Sequence, residues 1–135
     1  MALVTFNEDL KVNIAEIDEQ HKKLIAIINE LHDAMLKGKS RDILQKVLND
    51  LVDYTKVHFS TEEKLFAEYQ YPDFYEHKQI HDALYKRVIE IQDKYQSGNL
   101  FISLEIMDFL KDWLVKHILG TDKKYSAFFN SKGVI

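Results

Sequence analysis

The chain has 135 residues, a hydrophobic fraction of 46%, and one proline against four glycines, which fits one domain with one core and leaves little room for loops or linkers. A net charge of −4 with no long basic stretch argues against nucleic acid as a partner, and the lack of cysteine excludes disulfides, thiolate metal sites and iron–sulfur clusters. No apolar run approaches the roughly 20 residues of a membrane span, and the N-terminus has neither the basic nor the apolar region of a secretory signal, so the expected location is cytoplasmic.

Residues 1–17 read as an extended N-terminal arm lying across the rest, with a weak strand-like pattern around Leu3–Phe6 followed by Val12, Ile14 and Ile17. A first helix is predicted from about Asp18, its N-cap, to Lys37, with Gly38 ending it. His21, Leu24, Ile25, Ile28, Leu31 and Met35 share one face of it. A second helix starts near Ser40 and runs through Leu44, Val47, Leu48, Leu51, Tyr54, Thr55, His58, Glu62, Leu65 and Phe66 to about Tyr69. Ser60 and Glu63 have the spacing of a capping box. The apolar face nevertheless continues without a phase change from Leu44 to Phe66, so one uninterrupted helix is expected.

Pro72 separates the third helix, in which Phe74, His77, His81, Leu84, Val88, Ile91 and Tyr95 alternate at spacings of three and four, a strict a/d seam. Ser97-Gly98-Asn99 breaks it. The fourth helix carries Leu100, Leu104, Met107, Leu110, Leu114 and His117, and Tyr125, Phe128 and Phe129 suggest a short C-terminal extension after Gly120. Short connections imply antiparallel neighbours. The expected fold is all-α, an antiparallel up-down-up-down four-helix bundle spanning 1–135 as a single domain.

His21, His58, Glu62, His77, His81, His117 and Asp122 fall on the inward seam of these helices. Buried there unpaired, each would cost several kcal/mol, so a bound metal is expected. His58 and Glu62, like His77 and His81, are i,i+4 pairs about 6 Å apart along a helix axis and able to chelate together. His117 and Asp122 are i,i+5, an offset that turns about 140° past a full turn. Both can point at one centre only if the helix widens between them, and a π-bulge eased by Gly120 is the expected device. With antiparallel packing, the start of helix one, the end of helix two, the start of helix three and the end of helix four share one layer, where all seven residues meet. His32 lies about 16 Å further along the axis than His21 and is expected to be structural or at the surface. Glu19 and Glu63 are expected on solvated faces.

Five imidazoles and two carboxylates suit iron, zinc, copper or nickel, and seven ligands exceed one tetrahedral zinc, so two ions are implied. Ferritin-like di-iron enzymes use Glu-x-x-His motifs, and none occurs here. A nitrogen-rich shell disfavours high-valent iron and suits binding dioxygen over cleaving it.

In Asp18-Glu19-Gln20-His21, His58-Phe59-x-x-Glu62-Glu63, His77-x-x-x-His81 and Trp113-Leu114-x-x-His117-Ile118-x-x-x-Asp122, the chain resembles the hemerythrin family, specifically its single-domain bacterial members, over nearly its whole length. Phe6 stands where many relatives have tryptophan, which touches arm packing only. The resemblance implies two iron ions with a bridging oxo or hydroxo group. His77, His81 and His117 would hold one iron and His21 and His58 the other, with Glu62 and Asp122 bridging. The first iron would be coordinatively full and the second open to dioxygen. Leu24, Phe59, Trp113, Leu114 and Ile118 would wall the oxygen pocket and keep out water and anions. The implied role is non-enzymatic carriage, storage or delivery of dioxygen, with an oxygen-consuming enzyme as the kind of client it would serve; separately, the surface pattern has no apolar stripe long enough to demand a partner, so a monomer is expected. The alternatives are a di-iron enzyme or scavenger acting on peroxide or nitric oxide, an oxygen or iron sensor, and a zinc-holding structural bundle.

Overall fold

A computed structural model describes residues 2–135, in which the apolar periodicities are realised as helices α1 (Ala15–Leu36), α2 (Arg41–Glu68), α3 (Phe74–Gln96), α4 (Leu104–His117) and α5 (Lys123–Ser131). No strand forms among the described residues. Side chains cap two helix starts: Ser40 Oγ accepts from the Ile43 N–H, and Ser103 Oγ accepts from the Ile106 N–H. α1 ends on Gly38 at φ +63, where Lys39 N–H bonds back to Ala34 O and Gly38 N–H to Met35 O. The left-handed backbone there is what closes the last carbonyls. α2 is continuous through Ser60, as its unbroken apolar face requires.

The helices alternate in direction. Arg41, at the start of α2, stacks its guanidinium 4.3 Å from the centroid of the Tyr95 ring at the end of α3 and donates to the Tyr95 carbonyl. Trp113 Nε1 donates to the Leu84 carbonyl at 3.2 Å, tying α4 to α3. Between the helices lies an apolar core containing Leu24, Ile28 and Leu31 of α1, Leu48 and Leu51 of α2, Val88 and Ile91 of α3, and Met107 and Leu110 of α4. Among the described residues no helix is long and apolar enough to cross a membrane.

Three local expectations need correction. First, α1 begins at Ala15 with Ile14 as N-cap, so 15–17 are helical, and Asp18 caps nothing at that end. The Asp18 carboxylate instead accepts from the Val12 N–H at 2.8 Å, satisfying the backbone of the arm and not that of the helix. Second, the arm is not extended throughout, because a 3₁₀ turn occupies Glu8–Leu10. Met1 lies outside the described residues. The arm does cross the bundle: Val4 exchanges two hydrogen bonds with the Asn29 side chain on α1, at 2.9 and 2.8 Å, and Val12 O and Asn13 O accept from Ser126 and Asn130 on α5. Third, α4 starts at Leu104, because the Ser103 cap sets its first turn, and Leu104 itself is 60% exposed and off the seam.

Candidate metal centre

α4 and α5 are one rod interrupted by a π-helical segment, Ile118–Asp122. The Lys123 N–H bonds to Ile118 O, five residues back, and Gly120 sits inside the widened turn. This is the distortion that the i,i+5 spacing calls for. It turns Asp122 onto the face of His117, with Asp122 Oδ1 2.9 Å from His117 Nε2.

Around that pair the four helices meet in one layer, as the antiparallel register requires. Asp122 Oδ1 is 3.0 Å from His77 Nε2 and Asp122 Oδ2 is 3.1 Å from His21 Nε2. Glu62 Oε1 is 3.0 Å from His58 Nε2 and 3.2 Å from His81 Nε2. All seven residues are buried. Their donor atoms fall into two overlapping groups, each within 4.8 Å across: Glu62, His77, His81, His117 and Asp122 in one, and His21, His58, Glu62 and Asp122 in the other. The two carboxylates belong to both.

These close approaches are not hydrogen bonds. Nε2 of all five imidazoles, Glu62 Oε1 and both Asp122 oxygens are buried without a hydrogen-bond partner, although each has a polar neighbour near 3 Å. Lone pairs crowded together but not aligned with one another suit cations between them, since a buried acceptor left bare is costly. Nitrogen and oxygen donors at this density fit a pair of divalent transition metals.

The electrostatics point the same way. Burial and the neighbouring Asp122 charge push the Glu62 carboxyl up, but His58 and His81 outweigh them and hold it below the usual carboxylate range. Burial likewise raises Asp122, and His117, His21 and His77 outweigh it and hold the carboxyl well below that range. Burial depresses His21 and His81, yet Asp122 for the first and Glu62 with Glu63 for the second leave both raised. At His58 burial wins and lowers the ring.

Gln20, Glu63 and Tyr125 join the site in ways that periodicity does not reveal. Glu63, expected on a solvated face, has only 22% of its side chain exposed, and its Oε2 lies 2.8 Å from His81 Nδ1. Its neighbour Glu62 takes the seam, and the flank position of Glu63 reaches the outer edge of a ring on α3. Gln20 Oε1 is 2.7 Å from His58 Nδ1. Tyr125 O–H donates to Glu62 Oε2 at 2.5 Å, and burial, together with the Glu62 and Asp122 charges, holds that phenol well above its ordinary range. The available signal was the placement of Gln20 and Glu63 directly beside ligand positions in the motifs. Glu19, by contrast, is exposed and paired with Lys22. His32 belongs to neither donor group.

Leu24, Phe59, Trp113, Leu114 and Ile118 are all buried. Phe59 stacks on His81 at 4.0 Å between centroids and meets His117 edge-on at 5.8 Å, so an apolar ring does pack among the imidazoles. A surface groove of about 460 Å³ between α3 and α4 reaches Trp113 and His117.

Residues 12–129 match the family model described as the hemerythrin HHE cation binding domain. The chain is 39% identical over 126 residues to a bacteriohemerythrin of Stenotrophomonas maltophilia (strain R551-3), covering 93% of this chain and 81% of that protein. It is 36% identical over 126 residues to a bacteriohemerythrin of Methylococcus capsulatus (strain ATCC 33009 / NCIMB 11132 / Bath), covering 93% and 95%. A crystal structure of wild-type hemerythrin superposes with a TM-score of 0.89 at 35% identity, covering 93% of this chain and 97% of that one.

Proposed function

The chain belongs to the hemerythrin family, and from that premise we propose that it binds dioxygen reversibly at a non-haem di-iron centre, for carriage, storage or delivery. His77, His81 and His117 would hold one iron, His21 and His58 the other, and Glu62 and Asp122 would join the two. When bound, an iron pair would supply the electrons that reversible dioxygen binding draws on. The observation that carries this reading is the inequality of the two donor groups, three imidazoles against two around the same pair of carboxylates.

The surrounding side chains suit binding more than turnover. Leu24, Phe59, Trp113, Leu114 and Ile118 form a dry wall that would keep water and anions from the centre. Tyr125 holds one oxygen of Glu62 and so fixes the orientation of the carboxylate. That buried contact suits a positioning role for the phenol.

The test is the visible spectrum of anaerobically reduced, iron-loaded protein through repeated cycles of air and argon. Two irons per chain and a spectrum that appears in air and vanishes under argon are expected. Irreversible oxidation in the first cycle, or sustained turnover of peroxide or nitric oxide in place of reversible binding, would favour the scavenger reading.

A further inference from the structure

Two of the imidazoles are held from behind by side chains of different charge. His81 Nδ1 faces the Glu63 carboxylate at 2.8 Å, and His58 Nδ1 faces the neutral Gln20 amide oxygen at 2.7 Å. The orientation of that amide is set by its other end. Gln20 Nε2 donates to Thr61 Oγ1 at 3.2 Å, and the Thr61 hydroxyl spends its own proton on Val57 O at 3.0 Å. Gln20 therefore presents its oxygen to His58. Both rings then carry the proton on Nδ1 and turn a bare Nε2 toward the centre, where neither Nε2 has a hydrogen-bond partner.

The charge balance of the centre makes the difference matter. A pair of divalent cations would bring twice the charge that Glu62 and Asp122 neutralise, in a pocket where the ligands are buried. Uncompensated charge is expensive there. Glu63 is a further carboxylate in contact with a ring of the cluster, and it touches the three-histidine group only. Its other oxygen lies at the rim, 4.0 Å from Lys78 Nζ. A carboxylate behind an imidazole also makes the ring a stronger donor.

We propose that Glu63 is the counter-ion and positioning residue of the three-histidine metal position, acting through His81, and that the neutral Gln20 leaves the two-histidine position the weaker and more exchangeable of the pair. This rests on the reading that the cluster holds two ions.

Anaerobic titration of the metal-free protein with Co²⁺, followed by calorimetry and by the visible cobalt bands, tests it without recourse to oxygen binding. Wild-type protein is expected to take up two ions in two resolved steps. Glu63→Gln, which keeps a hydrogen bond and removes the charge, should weaken the tighter step by about tenfold and leave the weaker step unchanged. Gln20→Glu should do the converse, tightening the weaker step and drawing the two together. In a His21→Ala background, where the three-histidine position remains, Glu63→Gln should weaken the single binding event by the same factor. An unchanged tighter step, or equal weakening of both steps as a purely structural role would give, overturns the proposal. Fewer than two ions bound by wild-type protein would instead remove the two-metal reading beneath it.

Discussion

Leu31, Leu48, Val88 and Met107 occupy one end of the inward seam, and His21, His58, His77, His81 and His117 occupy the other, on inward faces of the same helices. The apolar end needs nothing beyond the chain itself, because burial of hydrocarbon contributes about 25 cal/mol per Å². The polar end buries bare acceptors and held charges at comparable depth, an arrangement that suits cations between them. Stability is therefore unequally distributed along one bundle. On the proposed reading, the polar end would draw part of its folding free energy from bound metal.

The strongest way to break this contrast is to remove the metal. Ions at a thousandfold excess over their dissociation constant stabilise by about 4 kcal/mol, so chelation should lower the thermal midpoint in calorimetry. Amide exchange should quicken around His21, His58 and Asp122 and stay slow around Leu48 and Met107. His77→Ala should lose metal and most of this stabilisation. Equal midpoints with and without metal would erase the contrast.

The converse change is Leu48→Ala, at a fully buried position of the apolar end. It should cost about 2–5 kcal/mol in urea denaturation and leave the metal content of the loaded protein at the wild-type level, because no proposed ligand moves.

Acid sharpens the comparison at the polar end. Glu62 and Asp122 have folded-state values held below their ordinary 4.5 and 3.8. Their contribution is present above those values and is lost as pH falls toward the lower, folded ones. Metal-free protein should lose stability as pH drops through that interval, and a double Glu62→Gln, Asp122→Asn variant should show a flatter acid limb. The loaded protein should release metal at higher pH than this, because imidazoles must shed their protons to ligate.

Leu114→Ala would thin the proposed apolar wall of the pocket. It should speed conversion of the loaded protein to its diferric form severalfold, read from the visible spectrum over time, and an unchanged rate would remove Leu114 from the pocket. The smallest effect belongs to Ser40→Ala. Loss of the cap on α2, far from the centre, should cost about 1 kcal/mol and leave metal affinity untouched.

Much of this molecule was legible from residue order. The helices and the shared layer of polar residues follow from spacing, because the face a residue occupies is a property of its own helix, with a period near 3.6; the π-helical break follows only once His117 and Asp122 are both required to point at one centre. The start of α1, the exposure of Leu104 and the partners of the outer imidazole nitrogens did not follow. Asp18 could cap a helix or tie down an arm, and only the packed position of Val12 decides between them. Glu63 lies off the seam of α2, yet the rotation of α3 carries His81 to it, just as the turn after Gly120 brings Tyr125 to Glu62. Local order determines which side of a rod faces inward. Which side chain on the next rod comes within 3 Å depends on how the rods are turned against each other, and only the packed bundle settles that.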